Sequence, residues 1–268
     1  MIRLEVSELC VYPVKSLGGI ALAESDVLRR GLRWDRHWMV VDASGRFLTQ
    51  RQLPRMALVA TRVGGDGLLL NAPGMPALRL PPDASGEPVT VTVWRDTVVA
   101  HAASVEADRW LRDFLGVACR LVRFAPSSSR PVDPAYGAQG DETAFSDGFP
   151  VLLAGDASLA ELNRHLARPL AMSRFRPNLV VAGAAPFAED GWRRIRAGGV
   201  ALRVVKPCSR CLITTVDPAR GEVDGDEPLR ALAKFRQRDN KVYFGQNLIP
   251  DSEGVIRVGD PVEVLEAG

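Results

Sequence analysis

Cysteine is scarce in this chain: four among 268 residues, at positions 10, 119, 208 and 211. They are too few and too unevenly spaced for the disulfide framework of a small secreted domain. Long hydrophobic runs are missing as well, and no stretch approaches the roughly 18 to 20 uninterrupted apolar residues that cross a bilayer as a helix. Arg3, Glu5 and Glu8 break up the first apolar residues, so no uncharged signal-peptide core forms there, and the expected location is cytoplasmic with no membrane partner. Neither sign of charge is in excess. With 34 basic and 32 acidic side chains the net charge is +2, which disfavours a nucleic-acid partner and makes any anion site local. Lysine is rare within the basic set, at 15, 206, 234 and 241 only, the remainder being arginine. In such a chain a lysine marks a place where a compact ammonium suits better than a planar fork. Gly-x-Gly-x-x-Gly, Walker and Gly-x-Ser-x-Gly motifs are all absent, which removes the usual support for nucleotide-cofactor and serine-hydrolase chemistry.

What is present is a foldable chain. At 46% hydrophobic residues it has enough apolar surface to offset chain entropy, in one large domain or two modest ones. The first hundred residues read as short strands punctuated by Gly, Pro and Asp: 6–14, 38–41, 57–63, 68–70, 77–80, 89–94 and 97–101, a barrel or sandwich pattern. Ser104 is placed to cap a helix in which Val105, Trp110, Leu111, Phe114 and Leu115 recur at helical spacing. The stretch 125–147, rich in Ser, Pro, Gly and Asp, reads as a linker or a loop over a pocket, and a domain boundary is placed just before it, giving units 1–122 and 123–268. In the second unit the pattern predicts a strand over 149–153, a helix over 158–166, a strand over 200–205, a short helix around Leu229, Leu232 and Phe235, and closing strands around Gly259-Asp260. The fold class is therefore mainly β with some α.

Four constellations carry chemistry. Cys208-Ser209-Arg210-Cys211 offers thiolates, which are nucleophiles and soft metal ligands. A zinc site lacks a second Cys-x-x-Cys, and a thioredoxin-like pair expects a helix where 212–216 reads as β-branched strand. Simple packing, and a single thiolate ligating a cofactor metal with the other cysteine in support, remain open. Tyr12-Pro13-Val14-Lys15-Ser16 puts a Lys and a hydroxyl at a strand end before Gly18-Gly19, suited to a phosphate or else an ordinary surface lysine. In the run 31–38 a strand would set Arg36 on one face with Trp34 and Trp38, and Asp35 with His37 on the other, giving either a stacked anion fork or a half-buried ion pair. Arg176 and Asn178 flank Pro177 at a strand mouth, and Ser146-Asp147-Gly148 forms a candidate anion nest.

Taken in order, Tyr-Pro-Val-Lys-Ser, Gly-Leu-x-x-Asp-Arg-x-Trp, Phe-Arg-Pro-Asn and Cys-Ser-Arg-Cys-Leu-Ile-Thr-Thr-Val-Asp-Pro resemble a MOSC-domain protein with its N-terminal β-barrel partner, similar to the amidoxime-reducing components and their bacterial counterparts. The likeness runs on through Phe244-Gly245-Gln246 and 258–262. It implies a second β-barrel with a cofactor pocket between the two units. The implied cofactor is a molybdenum pyranopterin dithiolene, with no flavin, no NAD and no iron–sulfur cluster in this chain. Cys211 would be the metal-bound and catalytic thiolate. Lys15, Ser16, Arg36, Ser146, Asp147, Arg176, Asn178, Pro207, Cys208 and Ser209 would hold the cofactor or its surroundings. The implied chemistry is reduction of N-hydroxylated small molecules, such as hydroxylamines, amidoximes, N-hydroxy bases and N-oxides, by oxygen-atom transfer to Mo(IV). A separate electron-donor protein, a ferredoxin, flavoprotein or b-type cytochrome, would serve a monomeric enzyme. A sulfur carrier with a persulfide on Cys211, or a molybdenum-cofactor carrier, is the competing class.

Overall fold

The structure is a computed structural model and describes residues 3–81 and 86–268. The first half holds β1 (Glu5–Val11), β2 (Ile20–Leu22), β3 (Glu24–Leu28), β4 (Gly31–Leu32), β5 (Trp38–Asp42), β6 (Ala60–Gly64), β7 (Gly67–Asn71), β8 (Leu78–Leu80), β9 (Pro88–Val93), β10 (Asp96–Ala102), α1 (Val105–Leu115) and β11 (Cys119–Phe124). The second holds β12 (Val151–Gly155), α2 (Asp156–Arg164), β13 (Leu179–Ala182), β14 (Trp192–Ala197), β15 (Val200–Ser209), β16 (Val216–Asp217), β17 (Glu222–Val223), α3 (Leu229–Phe235), β18 (Gln237–Arg238), β19 (Lys241–Pro250), β20 (Gly254–Arg257) and β21 (Val262–Ala267). Strands dominate, with three α-helices, as the turn-punctuated alternation predicts.

The largest sheet runs β2-β1-β13-β12-β19-β15-β14-β21, with β18 on the free end of β19. Its order crosses the middle of the chain, since β1 pairs antiparallel with β13, Leu9 opposite Leu179, and a small separate sheet, β20-β3-β4, crosses it too. Val6, Leu9 and Val11, brought to one face by a bulge between Val6 and Glu8, thus pack with Val151, Leu153, Ile195 and Leu202 in one core, which a purely local reading of residues 1–122 does not reveal. β12 and β13 are parallel, and α2 covers the crossover as such a connection requires. A second sheet, β5-β11-β10-β9, and a third, β6-β7-β8, build the rest of the first half.

Helix α1 shows why its sequence folds locally. Ser104 Oγ accepts from the Ala107 N–H at 3.0 Å, and Gly116 ends the helix at φ +75°, a left-handed position that glycine fills without strain. Trp110, Leu111, Phe114 and Leu115 are buried against Trp38, Met56 and Leu68, each burial contributing about 1.5–3 kcal/mol. Val105, expected on that face, is instead exposed, because it occupies the first turn where the helix has not yet met the core.

Three expected strands are otherwise. Residues 54–58 form a 3₁₀ turn started by Pro54, and the strand begins only at Ala60. Residues 33–36 form a turn in which Trp34 (φ +69°) and Arg36 (φ +50°) are both left-handed, so the period-2 facing of Trp34, Arg36 and Trp38 does not exist. Leu212–Thr215 form a 3₁₀ turn in place of a strand: the Thr214 and Thr215 hydroxyls bond back to the Cys211 and Leu212 carbonyls, and Arg174 Nη1 donates to the Thr215 carbonyl at 3.1 Å. Local side-chain bonds of this kind compete with a ladder. The segment 125–150 is irregular and tied at several points, by Arg203 to Asp141 at 2.8 Å and Arg30 to Glu142 at 3.1 Å. No helix among the described residues is long and apolar enough to cross a membrane.

Candidate functional site

Where β1 leaves the large sheet, Pro13 and Val14 steer the chain against Trp38, and the Lys15 N–H donates to the Trp38 carbonyl at 2.8 Å. Ser16 then turns left-handed at φ +67°. The result is a lysine 5% exposed, not a surface side chain at a strand end. Its Nζ donates to the Phe145 carbonyl at 2.8 Å and to Asp147 Oδ1 at 2.5 Å. Burial pulls the Lys15 pKa down while Asp147 pulls it up, and the net shift is downward. The Asp147 side chain is exposed at the mouth, and although the surrounding protein partly desolvates its charge, Lys15 and the Trp94 indole N–H hold that carboxyl well below the usual carboxylate range.

Beside this pair lies a second charged cluster built around Tyr12. Its buried ring has the Arg36 guanidinium 4.3 Å from its centroid and that of Arg176 at 4.1 Å, so one aromatic ring accommodates two like charges. Arg36 Nη1 donates to Asp35 Oδ2 at 2.6 Å and to Asn178 Oδ1 at 3.2 Å, and Nη2 donates to the Arg176 carbonyl at 3.2 Å. Asp35 Oδ1 accepts from the Tyr12 N–H and from Asn178 Nδ2, both at 2.9 Å. Asn178 makes its remaining bonds with the Leu152 N–H and the Cys10 carbonyl, so what it offers the cleft is the position of Arg36 and not a free donor. Arg176 differs: its Nη2 is buried with no hydrogen-bond partner among the described residues, and burial together with Arg36 brings its pKa down to about 10. That nitrogen lacks an acceptor, and an anion would supply one.

The two cysteines are not equivalent. Arg210 Nη1 donates to Cys208 Sγ at 2.9 Å, and the same guanidinium reaches the Phe175 carbonyl. Cys211 is exposed, and none of the described residues hydrogen-bonds its sulfur. The backbone is strand through Ser209 and extended again at Cys211 (φ −133°, ψ −178°). This layout suits one accessible ligand with a tethered neighbour better than a dithiol. His37, His101 and His165 all lie outside the cleft, so they add no ligand to it.

These groups share one cleft between the two halves of the chain. From the first half come Lys15, Ser16 and Arg36; from the second come Ser146, Asp147, Arg176, Asn178, Cys208, Ser209 and Cys211. Of the candidates named from the sequence only Pro207 is outside its lining, being paired in β15 opposite Gln246. The sequence reading passed over Thr49, Arg51, Trp94 and Arg210, which also line the cleft. It also passed over Tyr12 as a ring and over buried Arg130, whose guanidinium binds Asp96 at 2.6 Å and the Ala144, Ser146 and Asp147 carbonyls, fixing the loop that faces Lys15. Arg130 sits in the Ser-, Pro-, Gly- and Asp-rich stretch 125–147 and carries no motif. Trp94 did carry a signal, a bulky aromatic at a hairpin turn.

Comparison with known proteins places the chain in a family. Residues 3–118 match the MOSC N-terminal beta barrel domain and residues 140–263 the MOSC domain. Mitochondrial amidoxime-reducing component 1 of Mus musculus is 37% identical over 279 residues, covering 97% of this chain and 82% of that protein. The Homo sapiens protein of the same name is 37% identical over 284 residues with the same coverage, and mitochondrial amidoxime reducing component 2 of Homo sapiens is 34% identical over 276 residues, covering 96% and 82%. With both domains in order and more than a third of positions shared across nearly the whole chain, this protein belongs to the MOSC-domain family of the amidoxime-reducing components.

Proposed function

We propose that the chain is a reductase of N-hydroxylated compounds that works with a molybdenum pyranopterin cofactor held in this cleft. One observation carries the proposal: an exposed thiol without a partner, Cys211, shares a cleft with a buried guanidinium nitrogen, Arg176 Nη2, that has no acceptor. A soft metal carried on a compact anion answers both, since thiolates favour soft metals and guanidinium forks favour phosphate. The remaining donors fit the same group, because Lys15, Arg36 and Arg176 place three cations around a floor with two carboxylates, Asp35 and Asp147. When bound, such a group supplies the two-electron chemistry that breaks an N–O bond.

The chain supplies the rest. Cys211 gives up its thiol proton to serve as ligand, while Cys208, engaged by Arg210, holds the strand end in place. Arg36 is fixed by Asp35 and Asn178, and Arg176 is set across the Tyr12 ring, so their charges converge without side-chain rearrangement. Each N–O bond cleaved consumes two protons. Asp147, kept ionised by Lys15, stores none at neutral pH, and the exposed mouth beside Cys211 opens a route for them from solvent. A separate electron-donor protein meets the same mouth.

The test is elemental analysis and turnover of protein made in a host that synthesises the cofactor. Expected are about one molybdenum per chain and reduction of hydroxylamine or benzamidoxime with a reduced viologen dye. Both are lost in Cys211→Ser and largely retained in Cys208→Ser. Folded protein with no molybdenum, and a persulfide on Cys211, would move the assignment to sulfur carriage.

A further inference from the structure

At the mouth of the cleft β9 and β10 are joined by a two-residue loop, with Val93 paired to Asp96 and Trp94 first in the loop at φ +58°. A two-residue hairpin whose first position is left-handed takes glycine, asparagine or aspartate there by preference, and a bulky aromatic in that region is an outlier. Strain of this kind persists where surrounding contacts over-determine it and a function uses it. The contacts are present. Trp94 Nε1 donates to Asp147 Oδ1 at 3.0 Å, the Arg51 guanidinium lies 4.7 Å from its ring centroid, and the Phe47 ring tilts against it at 5.1 Å. Thus held, the indole is still 41% exposed and lines the cleft. It is fixed relative to the catalytic floor through Asp147, the same carboxylate that Lys15 binds.

We propose that Trp94 is a substrate platform, a ring face that stacks planar conjugated N-hydroxylated compounds and makes aryl amidoximes preferred over hydroxylamines that carry no ring. The proposal rests on the reductase reading above. Rings stack offset or edge to face, and a rigid indole at a cleft mouth offers such a face at little entropic cost.

Cofactor-loaded enzyme is compared with Trp94→Gly, which suits the loop backbone and keeps the hairpin, and with Trp94→Phe, which keeps a ring and loses the Nε1–H donor. Each is assayed with a reduced viologen dye against benzamidoxime and against hydroxylamine, with molybdenum per chain measured alongside. In Trp94→Gly the ratio of kcat/KM for benzamidoxime to that for hydroxylamine falls about three- to tenfold, through KM and at parental metal content. Trp94→Phe keeps most of that ratio. Calorimetric titration of benzamidoxime into the oxidised loaded protein weakens in parallel. An unchanged ratio overturns the proposal. Loss of molybdenum in Trp94→Gly also overturns it by assigning the ring to the cofactor, and Trp94→Phe matching Trp94→Gly overturns it by assigning the effect to the Asp147 hydrogen bond. If the parent, fully loaded, reduces neither compound, the reductase reading fails and not the platform alone.

Discussion

Asp35→Asn is the sharpest probe of the charged floor. The Asp35 side chain is completely buried, and Arg36, its partner at 2.6 Å, is nearly so. Asp35 Oδ2 faces the Arg36 Nη1 donor, while Oδ1 accepts from the Tyr12 N–H and Asn178 Nδ2. All three neighbours are donors, so an asparagine amide turned either way sets its own NH₂ against at least one of them. It also leaves the Arg36 charge uncompensated. Removing one partner of a buried pair costs about 3–5 kcal/mol, and at an unfolding entropy of about 2.1 cal/mol/K per residue that loss lowers Tm by about 5–9 °C in a chain of this length. Calorimetric melting measures it. Arg36→Met in the Asp35→Asn background recovers part of the loss, because deleting both partners leaves no orphan charge. A single variant within about 1 kcal/mol of the parent, or a double variant no better than the single, would refute the claim that this pair holds the floor together.

Two further outcomes concern stability. His37 is largely buried, and that burial, with Arg123, Arg30 and Arg33 around it, brings its pKa down to about 4 from an ordinary 6.5. The unfolded chain therefore binds the proton first, and stability that is full above about pH 6.5 drains by up to about 3 kcal/mol as pH falls towards 4. Urea unfolding across that range shows the slope, His37→Gln flattens it, and an identical acid limb in the variant sinks the idea. Gly31 sits at φ +97° with a built Cβ 2.3 Å from the Pro150 carbonyl oxygen, where β4 meets the segment entering β12. Gly31→Ala should cost at least about 2 kcal/mol in the urea midpoint, and a change below about 0.5 kcal/mol would show that the contact yields.

What the sequence discloses and what it hides divide along the range of the interactions involved. Helix α1 is readable because Ser104, Gly116 and the Trp110-Phe114 stripe act within one segment, and β9 and β10 because alternation and turn chemistry are local too. The left-handed turn at 33–36 is hidden, since Trp34 and Arg36 adopt positive φ with no glycine to announce it and their spacing imitates a strand. The 3₁₀ turn after Cys211 is hidden as well, because Ile213, Thr214 and Thr215 have strand propensity, and the two threonine hydroxyls that turn back onto the backbone are joined by Arg174, far back in the chain, in deciding against it. The same division runs through the site. Lys15 and Cys211 stand in quotable motifs, yet what makes Lys15 unusual is Asp147, 132 residues away, and what leaves Arg176 without an acceptor is that Asn178, Asp35 and Arg36 satisfy one another across 142 and 143 residues. A motif names the groups that do chemistry, whereas the net of buried polar partners decides which of them is left free to do it. In this cleft that net consumes Asn178 and most of Arg36 and leaves Arg176 Nη2, Arg210 Nε and the Cys211 sulfur unspent, so cationic nitrogen and soft sulfur, the two kinds of atom that a metal-bearing anion needs, stand without protein partners.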